Sequence, residues 1–349
     1  MENSRAILTQ VCAGHRPERP PLFDVLLNET VITHFAGHPL DGTADTDVVR
    51  TGVARALDAT YRLVEPDTPG RVWTDAIGNE CRSTRWGHWV TRPAFSTLEE
   101  WAQWIARDAE RCEALRMPDV RAEESLSSSK DGAVLLNCTP STAVNHACYD
   151  VCGFETFSYL LADYPELMKR WLRALRRERT RHIALRARAH DCPLALVFAD
   201  IASRDRLVFS RSLLMEVGFF EDLAEICAEC HDQGLRVILH SDGYLMEVLP
   251  DLLAAGIDGL HPIEQAAGMD IYALRRRYPE LLLVGGLDVT ELLRAGTHQE
   301  IRQEARRMIN EVGTEGSLLI GSSGEVDESV PLENYLAFRD EVLHGSAVA

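Results

Sequence analysis

The sequence predicts an α/β chain folded as a single (β/α)8 TIM barrel with additions on its N-terminal side. Three observations predict it. In the second half, short apolar runs alternate with stretches of helical period, the pattern of βαβ units and a parallel sheet. Each apolar run ends in polar residues, as expected where successive strands feed one cleft. The 349 residues, 46% hydrophobic and 26% charged, suffice for one large barrel with a sizeable core.

The first twenty residues, MENSRAILTQVCAGHRPERP, lack the apolar centre of a signal peptide. No apolar stretch approaches the roughly 20 residues that span a membrane. Nine cysteines without a secretion signal are expected to be reduced thiols. Together these predict a cytoplasmic protein.

The part up to about residue 130 is irregular. Pro39–Asp47 and Pro118–Asp131 read as loops, neither long enough to be an interdomain linker, so residues 1–349 are expected to form one domain. Val72–Val90 alternates polar and apolar residues, holds three of the six Trp, and reads as hairpin-like strands. From about 190 to 345 the pattern is regular. Leu194–Ala199, Leu235–Leu239, Leu281–Val284 and Ser317–Ile320 read as buried strands, and Gly259–Ile263 as a shorter one weakened by Pro262. Helical periods fall at Leu213–Asp232, Leu245–Ala255, Ile271–Tyr278, Thr290–Glu311 and Leu332–Leu343.

The runs terminate in Asp200, in His240-Ser241-Asp242-Gly243, in Glu264, in Gly285-Gly286-Leu287-Asp288 and in Gly321-Ser322-Ser323-Gly324. An open doubly wound sheet gathers its site at one switch point. Five polar strand ends in succession favour the barrel.

Charge excludes some partners. With 36 Lys plus Arg against 54 Asp plus Glu, the net charge is −18. Nucleic acid and anionic membrane need a basic face. A polyanionic substrate needs a local Arg cluster.

His240 and Asp242, two apart at a strand end, can face one centre. Imidazole plus carboxylate suits a divalent metal, or a general base oriented by an acid. It equally suits a hydrogen-bonded pair capping the next helix, with Gly243 making the turn. Glu264 closes the next strand and reads as a third ligand, an acid, or an Arg partner. Cys227-Ala228-Glu229-Cys230-His231 matches a haem-attachment spacing, but without an export signal both thiols read as buried small residues. Cys148 and Cys152 near His146 lack a second pair for zinc. The Gly321–Gly324 turn could cradle phosphate, yet it lacks the P-loop Lys, and no GxGxxG or GxSxG motif is present.

Read together, these residues resemble the uroporphyrinogen decarboxylase superfamily, which includes the decarboxylase and zinc-dependent methyltransferases that work with corrinoid proteins. His15–Asp24 (HRPERPPLFD) is similar to its opening segment. Gly153-Phe154-Glu155 and Tyr164-Pro165-Glu166 are similar to its middle helices. The order His240–Gly243, Gly256–Glu264 (GIDGLHPIE), Gly268-Met269-Asp270, Gly285–Asp288 and Pro331–Asn334 carries most of the resemblance. It implies a single barrel with its cleft at the strand C-terminal ends, and a homodimer as the common assembly.

Departures from the family pattern decide the subfamily. The decarboxylase has an Arg-rich opening motif that grips an acidic porphyrinogen; here stands Leu22-Phe23-Asp24-Val25. Thiol-methylating members hold zinc with a His-x-Cys pair and a later Cys. Here His240 matches the first ligand, Asp242 replaces the second, and Ser322-Ser323 occupies the later region. His240, Asp242 and Glu264 are then the expected zinc ligands, a harder set that leaves the metal more electrophilic.

The resemblance implies demethylation of a small methylated substrate, such as a methyl ether, with the methyl passed to a corrinoid on a separate protein. Asp200, His240 and Asp242 are the expected catalytic residues, with Asp200 as outer carboxylate or proton donor. Asp24, Trp73 and Ser323 are the candidate substrate contacts, the Trp73, Trp86 and Trp89 region supplying an aromatic wall. Two alternatives stand beside this. One is a metal-free decarboxylase of another substrate, with Asp200 or Asp242 stabilising a protonated intermediate. The other is a non-catalytic barrel that has lost its chemistry along with the Cys ligands.

Overall fold

Eight parallel strands close into a ring. The computed structural model describes residues 3–40, 46–114, 133–186, 192–313 and 317–345. The barrel strands are β1 (residues 22–23), β2 (Ala59–Thr60), β3 (Val134–Leu135 continuing into Asn137–Cys138), β4 (Leu194–Phe198), β5 (Arg236–His240), β6 (Gly259–His261), β7 (Leu282–Leu287) and β8 (Leu318–Ser322). From β3 to β8 each pairs in parallel with the next, and β2 pairs with β3 through Ala59 and Val134. Single bridges complete the circle, Phe23 to Ala59 and Leu22 to Ile320. At the β8–β1 seam the Phe23 N–H donates to Ile320 O at 2.8 Å and the Ile320 N–H to Pro21 O at 3.0 Å. This is the (β/α)8 barrel the sequence predicts.

The seam depends on Gly321. A β-carbon there would lie 1.9 Å from the carbonyl oxygen of Phe23, so any larger residue pushes the two strands apart.

Alternation along the strands divides the core in two. Phe23, Tyr61, Leu136, Leu194, Leu196, Ile238, Leu282, Val284 and Leu319 fill the lumen. Their neighbours Ala195, Val197, Val237, Leu239, Leu283 and Ile320 face outward onto the helices. The helix Ser4–Cys12, capped by the Asn3 side chain, adds Leu8 and Val11 to the lumen cluster. Arg236, at the start of β5, donates to Cys12 O at 3.3 Å, which seats this helix under the N-terminal end of the barrel. The strand C-terminal ends form the opposite mouth.

The expected strands match β4 to β8 closely, while two expected helices are broken. Leu213–Asp232 is interrupted at Gly218, whose φ of 76° is left-handed, into Arg211–Glu216 and Phe219–Asp232. Thr290–Glu311 divides into Leu292–Ala295 and His298–Glu311, where Thr297 and Glu300 form a capping box. The helix expected from Leu245 starts at Leu249. Val72–Thr74, Glu80–Ser83 and His88–Arg92 form the expected hairpin sheet, antiparallel and three-stranded. Pro118–Asp131 and most of Pro39–Asp47 lie outside the described residues. Among the described residues no helix is long and apolar enough to cross a membrane, and all nine cysteines are free.

Candidate metal centre

The candidate chemistry gathers at the C-terminal ends of the strands. β5 ends on His240 and β6 on His261, and the parallel register sets these two residues side by side. Their Nδ1 atoms are 2.8 Å apart, a hydrogen bond between neutral rings. Burial pushes His240 down to about 4 and His261 well below the ordinary imidazole value. Phe198 and Tyr61 pack at a tilt on His240, and Phe23 and Tyr61 edgewise on His261. This apolar ring is why both imidazoles stay uncharged.

His240 turns its other nitrogen toward two acids. Nε2 is 3.6 Å from Asp200 Oδ1. Asp200, His240 and Asp242 each offer one ligand atom, all within 4.8 Å of one another. Backbone bonds fix the loops that carry them. The Ala199 N–H donates to His240 O at 2.9 Å, the Asp200 N–H to Asn145 Oδ1 at 2.9 Å, and the Ile201 N–H to Ser241 Oγ at 3.2 Å. Asn145 leads into a π-helical turn, His146–Cys152, beside the site.

The electrostatics ask for a cation. Burial, then the charge of Asp242, raises Asp200 to about 6. Partial burial, then the charges of Glu264 and Glu325, raises Asp242 to about 6, although its side chain opens to solvent. Asp200 Oδ1 is buried with no hydrogen-bond partner among the described residues. Two tetrahedral zinc ligands at about 2.1 Å stand roughly 3.4 Å apart, close to the 3.6 Å between His240 Nε2 and Asp200 Oδ1. One imidazole and two carboxylates fit zinc with a position left open for substrate.

The other expected site residues are placed as follows. Glu264 Oε2 accepts the Gly243 N–H at 2.8 Å, bracing the turn that presents Asp242. Ser323 is buried; its Oγ accepts the Val289 N–H and its own N–H donates to Leu287 O, fastening β7 to β8. Trp73 lies in the hairpin sheet beneath the Arg71 guanidinium, 4.5 Å from its ring centre. That sheet joins the barrel rim through Arg85 to Glu29 and Trp86 Nε1 to Glu328, not through the Asp200–His240–Asp242 cluster. Cys227 and Cys230 are buried small residues, as expected, and His231 pairs instead with Asp258 at 2.8 Å.

Asp24 is fully buried at the β1–β8 seam, accepting from the Val25 N–H, the Ser322 N–H and Ser322 Oγ. Burial nevertheless raises it to about 7. An unfolded Asp titrates near ~3.9, so the native protein keeps a proton that the unfolded chain releases between about 4 and 7. The stabilisation is therefore full below that window and lost as pH rises through it, a swing of about 4 kcal/mol. Asp24→Asn should flatten the fall in unfolding free energy between about pH 5 and 7.5, measured by urea titration. An unaltered slope would mean that Asp24 is ionised throughout.

Sequence reasoning missed His261, Tyr61, Phe198 and the Arg62–Glu325 ion pair, to which the Tyr61 hydroxyl also donates. Of these only His261 had a signal: two adjacent strands each ending in His.

Comparison with known proteins agrees with this architecture. A solved structure titled "methyltransferase from Methanosarcina mazei" superposes with a TM-score of 0.66 at 17% identity, covering 99% of each chain. A second, of an uncharacterized protein, covers 94% of this chain and 70% of its own at 10% identity; its TM-score of 0.34 is too low to bear on the fold. No curated protein matches. The family profile described as uroporphyrinogen decarboxylase (URO-D) matches residues 147–344, more than half of the chain and the whole stretch from the π-helical turn to the last helix. The chain belongs to the uroporphyrinogen decarboxylase family.

Proposed function

We propose that this protein is a metal-assisted methyltransferase that takes a methyl group from a small methylated substrate, with methyl ethers foremost, and passes it to a corrinoid carried by a separate protein. The observation that carries the reading is the buried, unbonded Asp200 Oδ1 facing His240 Nε2, with Asp242 beside them. Family membership and the end-to-end likeness in fold to a methyltransferase support it.

His240, Asp242 and Asp200 would hold zinc, which when bound supplies Lewis acidity toward the oxygen or nitrogen bearing the methyl group. The chain's own residues do the rest. His240, uncharged, offers a lone pair. Loss of the methyl group leaves an alkoxide or phenolate, and water at the strand C-terminal ends supplies the proton it needs. We assign to Asp200 the completion of the ligand set with His240 and Asp242, and to Glu264 the bracing of the Asp242 turn. Asp24 and Ser323, both engaged at the β8 end, shape the floor beneath the substrate, and Trp73 its outer rim.

A second reading, decarboxylation of a non-porphyrin acid, is favoured by the same raised carboxyls, which could protonate a carbanion as carbon dioxide leaves. One experiment separates the two. Tag-free protein is assayed for metal, then for methyl transfer from aryl methyl ethers to cob(I)alamin with and without a chelator. About one zinc per chain and chelator-sensitive formation of methylcobalamin are expected. Folded protein that takes up no zinc on titration would overturn the methyltransferase reading, and chelator-resistant release of carbon dioxide would establish the lyase.

A further inference from the structure

We infer that His261 is a positioning residue: by accepting a hydrogen bond from His240 Nδ1–H it fixes the tautomer that leaves His240 Nε2 bare and aimed at Asp200 and Asp242. The assignment of Nε2 as a ligand atom rests on the metal-assisted reading above; the tautomer itself does not.

Two Nδ1 atoms 2.8 Å apart require one donor and one acceptor. If His261 were the donor, His240 would carry its proton on Nε2, directed at Asp200. That nitrogen and Asp200 Oδ1 are 3.6 Å apart, too far for a hydrogen bond, and Oδ1 has no other partner among the described residues. A buried carboxylate oxygen facing an N–H would close that gap. The spacing is instead that of two acceptor atoms with no proton shared between them. His240 must then be the Nδ1–H tautomer and His261 the acceptor. Ligating histidines commonly give their second N–H to a carboxylate or carbonyl; here a second imidazole takes that place.

His261 can do this because it cannot move. It is 2% exposed, its ring meets Phe23 and Tyr61 edge-on with centroids 5.1 and 5.7 Å away, and the Ser241 N–H donates to its carbonyl at 2.9 Å. The same backbone bond ties it to the strand end that carries His240. The acceptor is thus held by the barrel wall rather than by a loop.

The test uses His261→Phe, which keeps a ring and removes the acceptor, and His261→Asn, whose Oδ1 can occupy the place of Nδ1. Nitrogen-15 NMR of the metal-free parent should show His240 protonated on Nδ1 with a pyridine-like Nε2. In His261→Phe the Nε2–H form should appear, and Asn should restore the parental pattern. Titration with Co²⁺ alone, followed by its visible spectrum, should show about a 10- to 100-fold loss of affinity in His261→Phe and recovery to within about threefold in His261→Asn. Parent protein with the proton on His240 Nε2 would overturn the inference, as would a His261→Phe variant that melts normally and keeps both tautomer and cobalt affinity. A parent with the expected tautomer that binds no cobalt would sink the metal-assisted function and leave the role of His261 standing.

Discussion

His240→Ala should empty the metal site and abolish methyl transfer while leaving a folded barrel. The substitution removes the nitrogen of the proposed ligand set and leaves Asp200 and Asp242, each already raised to about 6, facing one another. Two such carboxyls meet their repulsion by keeping a proton, and a protonated carboxyl is a poor ligand. Loss of an outer-shell partner alone lowers metal affinity by about 10- to 100-fold, so loss of the imidazole should exceed a hundredfold. The fold should survive, because His240 is the last residue of β5 and its packing partners Phe198 and Tyr61 can close in. The main structural cost is the His261 Nδ1 left without its partner, about 1–3 kcal/mol. Asp242→Ala should also lose metal, but through the opposite electrostatic change: Asp200, freed of its neighbour's charge, moves down toward the ordinary carboxylate range. Elemental analysis after dialysis, with thermal melts as control, reads both variants. Stoichiometric zinc in either would remove this cluster as the metal centre.

The second large effect concerns stability. Gly321→Ala should leave the protein insoluble or lower its unfolding free energy by about 3 kcal/mol or more, because the new methyl would overlap the Phe23 carbonyl at the ring's seam. Relief requires β1 and β8 to part, which breaks the Phe23–Ile320 and Ile320–Pro21 backbone bonds and draws Ser322 away from Asp24. Gly324→Ala, three residues on, is the control. A β-carbon there meets only Val289 Cγ1 at 3.5 Å, an ordinary contact, and reduced freedom of the unfolded chain should make it neutral or slightly stabilising. Equal solubility and equal denaturation midpoints for the two variants would show that the seam tolerates separation.

What could be read in advance follows from the length of the strands. β4, β5, β7 and β8 run for five or six residues, long enough to print an apolar run between helices. β1 and β2 contribute two residues each to the ring, and no periodicity can be recovered from two residues. The same contrast governs the site. Asp200, His240 and Asp242 follow long strands, so barrel geometry brought them to notice. His261 sits at the end of a three-residue strand before Pro262 and went unread, and Tyr61 follows a strand too short to see. Glu264, expected as a third ligand beside His240, closes the neighbouring strand and accepts the Gly243 N–H, while the acid that joins His240 and Asp242 in one cluster is Asp200. Spacing places a residue on a strand end; only the hydrogen bonds say which acid is already occupied.

The seam has a consequence for how the protein is born. Asp24 leaves the ribosome early, while the Ser322 groups that satisfy it come 298 positions later. Through most of synthesis β1 has no neighbour on one side, and the apolar lumen lies open along that edge. Such non-local closure is slow and exposes sticky surface meanwhile. A nascent chain stalled before β8 is therefore an open, half-wrapped sheet, and release of the final strand is the event that turns it into a ring.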